Sequence, residues 1–444
     1  MRLDLIVPTW EDEKKRKMKG KAFRLPQLSL GIIAALTPKE FEIHYIDENL
    51  EEINFDDGAD LVGITAMTPT APRAYKIATE FRKRGAKVIL GGIHPSILPN
   101  EALRYCDSVV IGEVELVWQQ IIEDFKKQEL KPCYQAKGLV DPANIPFPKR
   151  ELFRRKGYLI TSLLQTTRGC PFDCTFCSAN LFSGRTFRTR PVKSVLSEIE
   201  QTNSKFIGFL DDNIVGNREY AKELFRALIP LKIKWLGQAS LTLADDDELL
   251  TLAEKSGCKG VFIGLESVSD QGLKEVNKKY QKANLMREKI KKIHDHGILI
   301  EGSFIFGLDS DDKSVFERTL EFAKENKLAV ASFGVLTPYP GTALQKRLQE
   351  ENRIISYDWR LYTCGRTVFK PKNMTVEELQ EGLDWCWYQF YSYSSILTRF
   401  LNTWPNWLTI GIPLMIINLS YKKMLHHTKD TAELLKNLQF ELSV

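Results

Sequence analysis

The sequence predicts an α/β protein: a Rossmann-like doubly wound domain first, a second strand–helix array after it, and a mainly helical C-terminal region. Three observations carry that reading. Apolar runs rich in Val, Ile and Leu alternate with helical stretches over residues 1–130. A second alternation, with the period of a β/α unit, runs from Tyr158 to about Asn352, and beyond Tyr357 the pattern turns aromatic-dense and helical. The expected division is a doubly wound domain over 1–130, a linker over 131–156, a core over 157–355 and a helical cap over 356–444. A chain of 444 residues is long enough for about three domains of ~150 residues each.

In the first domain the strands expected are Leu3–Val7, Glu42–Ile46, Leu61–Thr65, Lys87–Leu90 and Ser108–Ile111. The helices are Gln27–Leu36, Ala71–Arg84 and Trp118–Lys127. Such alternation builds a parallel sheet with helices on both faces, and ligands bind at the carboxyl ends of its strands. Two of those ends carry suitable residues. Thr65-Ala66-Met67-Thr68 offers short hydroxyls, and Gly91-Gly92-Ile93-His94-Pro95 lets a backbone approach a large flat ligand. Pro132, Pro142, Pro146 and Pro148 make Lys131–Lys156 an extended surface linker.

The second array has strand candidates at Leu159–Gln165, Phe206–Leu210, Lys234–Gln238, Gly260–Ile263, Leu299–Ile305 and Ala331–Leu336. Six units suit an open (β/α)6 barrel, although periodicity alone would equally permit a plain α/β domain. In the C-terminal third, Trp407–Leu419 is apolar but only 13 residues long, with Pro413 inside it. That is too short for a bilayer span of ~20 residues. A cap over the core is the default reading, and a shallow interfacial contact through 405–423, followed by Lys422 and Lys423, is the alternative.

Composition fits a large soluble enzyme of the cytoplasm, with 43% apolar and 27% charged residues. Met1–Pro8 has the pattern of a short strand and not that of a signal peptide. A net charge of +5 is too small to imply a nucleic-acid partner. The basic run Lys14–Lys21 reads as a solvated loop.

The most specific feature is Thr166-Thr167-Arg168-Gly169-Cys170-Pro171-Phe172-Asp173-Cys174-Thr175-Phe176-Cys177, which follows the first strand of the second array. Four cysteines fill every iron of an ordinary cubane, so three leave one iron open for a ligand. Structural zinc would need four ligands in pairs, and three clustered thiols leave one over for disulfides. Cys106, Cys133, Cys258, Cys364 and Cys386 are scattered and read as ordinary thiols.

The CxxxCxxC run in this setting resembles the radical S-adenosylmethionine (SAM) superfamily, and that resemblance makes the partial (β/α)6 barrel the preferred fold. It implies a [4Fe-4S] cluster on Cys170, Cys174 and Cys177, with Phe176 near the adenine. It implies SAM contacts at Asp211 and Asp212, which would take the ammonium, and at Glu266, which would take the ribose. Gly302–Gly307 is similar to the family's GxIxG element, and Thr337–Thr342 to its PxPGT turn. Gln238 and Ser240 are further contacts by position. Asp211, Asp212 and Glu266 have a competing reading as helix caps.

A doubly wound domain ahead of such a core resembles the cobalamin-binding domain of cobalamin-dependent radical SAM enzymes, with Gly91–Pro95 matching a GGxHP-type loop. On this resemblance Thr65, Thr68, Gly91, Gly92 and His94 contact cobalamin. The Asp-x-His-x-x-Gly run of many cobalamin proteins is absent, and Asp47-Glu48-Asn49-Leu50 stands in its place. The alternative is a Rossmann-like domain used only as scaffold.

The implied reaction is methylation of an unactivated carbon of a small, hydrophobic or lipid-like substrate, with an electron donor such as flavodoxin or ferredoxin. A cobalamin-independent oxidoreductase, cyclase or carbon–carbon coupling enzyme is the second reading. An RNA methylthiotransferase would need more N-terminal cysteines than Cys106 and Cys133, and a C-terminal barrel. A non-catalytic cofactor sensor would not need Asp211, Asp212 and Glu266 beside the three cysteines.

Overall fold

The computed structural model describes residues 1–19, 25–154, 157–401 and 411–425. It packs as two compact units. Of these described residues, the first holds those in 1–238, 255–258 and 337–363, and the second those in 239–254, 259–336 and after 363.

The first unit opens with the strands β1 (Arg2–Val7), β2 (Glu42–Asp47), β3 (Leu61–Thr65), β4 (Lys87–Gly91), β5 (Ser108–Ile111) and β6 (Cys133–Gln135). All pair in parallel in the order β2-β1-β3-β4-β5-β6. The side-chain period of two sorts β1 between two cores. Leu3 and Leu5 join Trp118 and Ile121 on one face, while Ile6 joins Ile77 and Phe81 on the other. The helices Leu28–Leu36 and Trp118–Lys126 supply the first face, and Ala71–Lys83 the second. Trp118 is 1% exposed, and its ring N–H donates to Thr37 Oγ1 at 3.0 Å.

The segment after residue 130 differs from the extended surface linker expected. Cys133–Gln135 joins the sheet as β6, and Phe153 is fully buried against Tyr45, with ring centres 5.0 Å apart. A buried aromatic recovers far more than a surface path would, so Tyr134 and Phe153 decide where this segment runs. Arg155 and Lys156 lie outside the described residues, as do Gly20 and Lys21 of the basic run. Within that run Lys17 pairs with Glu48 at 2.9 Å and with Glu52 at 2.8 Å.

The strands β7 (Leu163–Leu164), β8 (Thr167–Arg168), β9 (Arg188–Thr189), β10 (Phe206–Phe209) and β11 (Lys234–Ala239) follow. The β7, β10 and β11 strands pair in parallel, and β8 with β9 forms an antiparallel ribbon. The strand expected over Leu159–Gln165 is cut to β7. Tyr158 OH is drawn to Asp47 Oδ2 at 2.7 Å, and the chain beyond Gln165 turns into the ribbon.

In the second unit β12 (Cys258–Glu266), β13 (Leu299–Phe306) and β14 (Val330–Val335) pair in parallel, with a bulge between Gly264 and Glu266. The C-terminal helices are Val376–Phe390, Tyr393–Leu401 and Ile412–Leu425. Thr375 and Glu378 form a capping box at the first of these. Trp407–Ile410 lies outside the described residues, and Pro413 falls in the first turn of the last helix, where a missing N–H costs nothing. No helix of the described residues is long and apolar enough to cross a membrane.

One carboxyl of the second unit sets a pH dependence. Asp311 Oδ2 accepts the backbone N–H groups of Gly307 and Leu308, each at 3.0 Å. Burial nevertheless pushes the carboxyl up to about 7. The folded state therefore binds this proton more tightly than the unfolded chain does. The stability it contributes is full below the ordinary carboxyl range and is lost as pH rises through about 7. Anaerobic thermal scans of the holoprotein should show stability that falls from pH 5 to about pH 7, by at most roughly 1.4 kcal/mol per pH unit for one such group, and levels off by pH 8. Asp311→Asn keeps an acceptor and should flatten that slope.

Candidate functional site

A cavity of about 400 Å³ opens over the carboxyl ends of the N-terminal sheet, within the first unit. It sits where the strand order reverses, between β1 and β3, the switch point at which doubly wound sheets take ligands. Its floor is backbone: Thr65, Ala66, Gly91, Gly92 and Gly112 line it. Gly92 has φ +98°, and a Cβ there would stand 2.8 Å from the Ala66 carbonyl and 2.9 Å from Thr65 Oγ1. Only glycine allows that approach. Leu5, Leu30, Ile33, Val110 and Trp118 give one apolar side. The opposite side comes from the cysteine run and its neighbours: Gln165, Arg168, Gly169, Ser178, Phe182 and Asp212. A glycine-floored, apolar-sided cavity at strand ends fits a large flat cofactor.

Thr68 and His94 do not line the cavity. His94 is fully buried, with Nδ1 3.3 Å from Thr68 Oγ1 and Nε2 3.3 Å from Glu101 Oε1. Trp359 stands edge-on to the ring at 5.5 Å and donates its N–H to Glu101 at 3.1 Å. Both ring nitrogens are thus engaged behind the floor.

The cysteine loop is braced from several sides. Asp211 Oδ1 accepts from Thr166 N and Thr166 Oγ1, each at 2.9 Å, from Thr167 Oγ1 at 2.7 Å, and from Thr167 N. Asp211 is fully buried, and burial pushes its carboxyl up to about 6 against those bonds. This residue ties β10's end to the start of the loop. Asp212 instead faces the cavity. Gly169 has φ +87°, and a Cβ there would lie 2.0 Å from the Thr186 carbonyl across the ribbon. Asn180 Nδ2 donates to the Phe172 carbonyl, Cys177 N to the Cys174 carbonyl at 3.1 Å, and Leu344 N to the Thr175 carbonyl at 3.0 Å. Cys170, Cys174, Phe176 and Cys177 are half-buried. Burial raises the Cys170 thiol. Among the described residues no three His, Cys, Asp or Glu side chains gather on a single-ion site. Three thiols on one exposed-edged loop suit a cluster, in which each sulfur takes its own iron. Gln238 is the next-to-last residue of β11, and its carbonyl accepts from Ile214 N at 2.9 Å, just past Asp212 and Asn213.

In the second unit Glu266 ends β12 with φ +64° at the bulge. Lys278 Nζ donates to its Oε1 at 2.7 Å and to the Gly264 carbonyl at 2.5 Å. A Cβ on Gly264 would stand 2.2 Å from Glu266 Oε1, so the carboxylate folds back over a glycine. Ser240 Oγ lies 2.6 Å from Thr242 Oγ1 in a short turn. Gly307, at φ +91°, follows β13 and has no room for a Cβ against Leu379 at 2.7 Å.

Sequence reasoning missed a buried ion-pair group. Arg168 Nη1 donates to Glu113 Oε1 at 2.9 Å and Nη2 to Glu115 Oε1 at 2.5 Å. Arg188 Nη2 donates to Glu113 Oε1 at 2.8 Å and Nη1 to Oε2 at 3.0 Å. Glu113 is 3% exposed, and the guanidinium of Arg188, with that of Arg168, outweighs burial and lowers its carboxyl. The group joins the end of β5 to the β8–β9 ribbon that precedes Cys170. The available signal was the pair Glu113-x-Glu115 directly after a strand and a glycine.

Two family models match the chain: the B12 binding domain over residues 22–122 and the Radical SAM superfamily over residues 164–323. The bacteriochlorophyllide d C-12(1)-methyltransferase of Chlorobaculum tepidum is 32% identical over 394 residues, covering 86% of each chain. The bacteriochlorophyllide d C-8(2)-methyltransferase of the same organism is 30% identical, covering 88% of this chain and 89% of its own. Among solved structures, the cobalamin-dependent SAM radical enzyme OxsB with aqua-cobalamin bound matches with a TM-score of 0.68 and 16% identity. The match spans 100% of this chain and 75% of that one, a likeness of fold.

Proposed function

Because this chain belongs to the cobalamin-dependent radical SAM methyltransferases, we propose that it methylates an unactivated carbon of a flat, hydrophobic or lipid-like small molecule. It is a radical SAM enzyme, and its cofactors are a [4Fe-4S] cluster, SAM and cobalamin. The observation that carries the substrate-side reading is the cavity, because one wall is the sheet's glycine floor and the other is the cysteine loop's own neighbourhood. When bound, the cluster with SAM supplies a 5′-deoxyadenosyl radical, and cobalamin supplies the methyl group.

The chain's residues hold and orient these groups. Cys170, Cys174 and Cys177 would hold the cluster as thiolates, with Phe176 near the adenine. Asp212, the cavity-facing carboxylate, takes the SAM ammonium by charge-assisted hydrogen bonds. Asp211 stiffens the loop through its threonine bonds. Glu266, oriented by Lys278, takes the ribose hydroxyls, and Gly307, Gln238 and Ser240 shape the SAM surroundings. Thr65, Gly91 and Gly92 carry the corrin, with Thr68 and His94 supporting that floor from behind. A flavodoxin or ferredoxin supplies electrons, and the enzyme works in the cytoplasm, with a peripheral lipid contact around 405–423.

The relatives' substrates support testing tetrapyrroles first. Anaerobic reaction of the holoprotein with bacteriochlorophyllide-type substrates and methyl-deuterated SAM should yield 5′-deoxyadenosine together with a labelled methyl product. Formation of 5′-deoxyadenosine with substrate oxidation or ring closure, and no label transfer, would move the assignment to the oxidoreductase or cyclase reading.

A further inference from the structure

The helices Tyr393–Leu401 and Ile412–Leu425 pack on each other in the second unit and depart from the usual pattern of a surface pair. Polar side chains take buried positions beside the apolar Ile396 and Leu414. Arg399 and Asn418 are 6% and 1% exposed, and Arg399 Nη2 donates to Asn418 Oδ1 at 2.7 Å. Asn418 Nδ2 donates in turn to the Ala329 carbonyl at 3.2 Å and the Leu414 carbonyl at 2.8 Å. The Arg399 guanidinium also covers the Phe390 ring at 3.9 Å.

Large apolar side chains stand outward, beside the exposed Ser394 and Thr398. Leu397 and Leu401, one turn apart, are 55% and 61% exposed, and Ile416 and Leu419 on the other helix are 58% and 39% exposed. A surface helix normally turns its apolar stripe to the core and its polar face to water. Here four large apolar side chains are turned outward while Arg399 and Asn418 are turned in, which marks an interaction face.

Charge identifies the partner. No Asp or Glu occurs between Asp384 and Asp430, while Arg399, Lys422, Lys423 and Lys429 do. Lys423 is exposed on the same helix as Ile416 and Leu419, one turn beyond Leu419. An acid-free apolar surface with lysine at its edge suits anionic headgroups over an acyl boundary. Neither helix is long enough to cross a bilayer, so contact is in the plane of the surface.

We propose that the outward face of these two helices docks on an anionic lipid bilayer, with Leu397, Leu401, Ile416 and Leu419 at the acyl boundary and Lys423 among the headgroups. The proposal deepens the peripheral-contact reading above by naming the surface and the lipid. Docking itself needs neither cofactor turnover nor a particular substrate.

The test is flotation of the cluster-loaded full chain with phosphatidylcholine vesicles, with and without phosphatidylglycerol. The protein should float with the anionic vesicles and be released by high salt. The double variant Leu397→Glu/Ile416→Glu should lose at least about tenfold in partitioning, and Lys423→Glu several-fold. Because these side chains are exposed, the melting curve and 5′-deoxyadenosine formation in solution should not change. A protein that stays in solution with every vesicle, or variants that float as well as the parent, would overturn the proposal. So would a dimer that Leu397→Glu/Ile416→Glu converts to monomer, since the face would then belong to a second copy. Vesicle binding that appears only after deletion of 426–444 would assign the face to the chain's own C-terminal segment, against the proposal. An inactive protein that still floats would count against the proposed reaction and leave the docking intact.

Discussion

Single replacement of Cys170, Cys174 or Cys177 by alanine should reduce 5′-deoxyadenosine formation to background. On the proposed reading each thiolate would serve a different iron, so losing one would leave the cluster with two anchors and no defined open site. The three side chains are half-buried in a loop and contribute little to any core, so the fold should persist. Circular dichroism and the melting curve of the iron-free variants should match those of iron-free parent protein, while iron content after reconstitution falls. Cys133→Ser is the control: that cysteine is exposed on β6, outside the loop, and its loss should leave iron content and turnover as they are.

The second large effect is expected at Glu113. Its carboxylate is shared by Arg168 and Arg188, and Val140 N donates to Oε2 at 2.6 Å. Removing it leaves two guanidinium groups short of a partner in a largely water-free place. Breaking a buried pair in this way costs about 3–5 kcal/mol, because the remaining charge is uncompensated. Glu113→Ala should therefore lower the denaturation midpoint strongly, and Glu113→Gln less, since an amide oxygen still accepts. The functional consequence follows from geometry. Glu113 ends one side of the cavity, and Arg168 precedes Gly169 and Cys170 by one and two positions, so the variant should release cobalamin on dialysis faster than the parent. A variant of normal stability and normal cobalamin retention would remove the ion-pair group from the account.

The parts legible in the sequence were those governed by local pattern. Leu61–Thr65 and Ser108–Ile111 are strands with those same bounds, because β-branched runs between turn residues have few alternatives. The three cysteines stand out by their spacing after a strand, and all three lie half-buried on the loop expected. What stayed hidden depends on partners distant in the chain. Arg168 meets Glu113 from 55 positions away, and Arg188 meets it from 75, so no window of sequence contains the group. Direction is hidden for a similar reason. Asp211 and Asp212 are adjacent and chemically alike, yet one is sealed under Thr166 and Thr167 while the other opens to the cavity. His94 and Gly92 share a loop, but the histidine's place is decided by Glu101 and by Trp359, 265 positions along the chain. Phe153 likewise turns a proline-rich linker into part of the core.

The central claim is that one chain carries both cofactors, and metal analysis of the anaerobically purified protein tests it most directly. From cells supplied with hydroxocobalamin, the protein should carry about one cobalt beside about four irons per chain, with corrinoid absorbance that survives gel filtration. Four irons with no retained cobalt under those conditions would contradict it, and residues 1–130 would then be a scaffold or substrate domain.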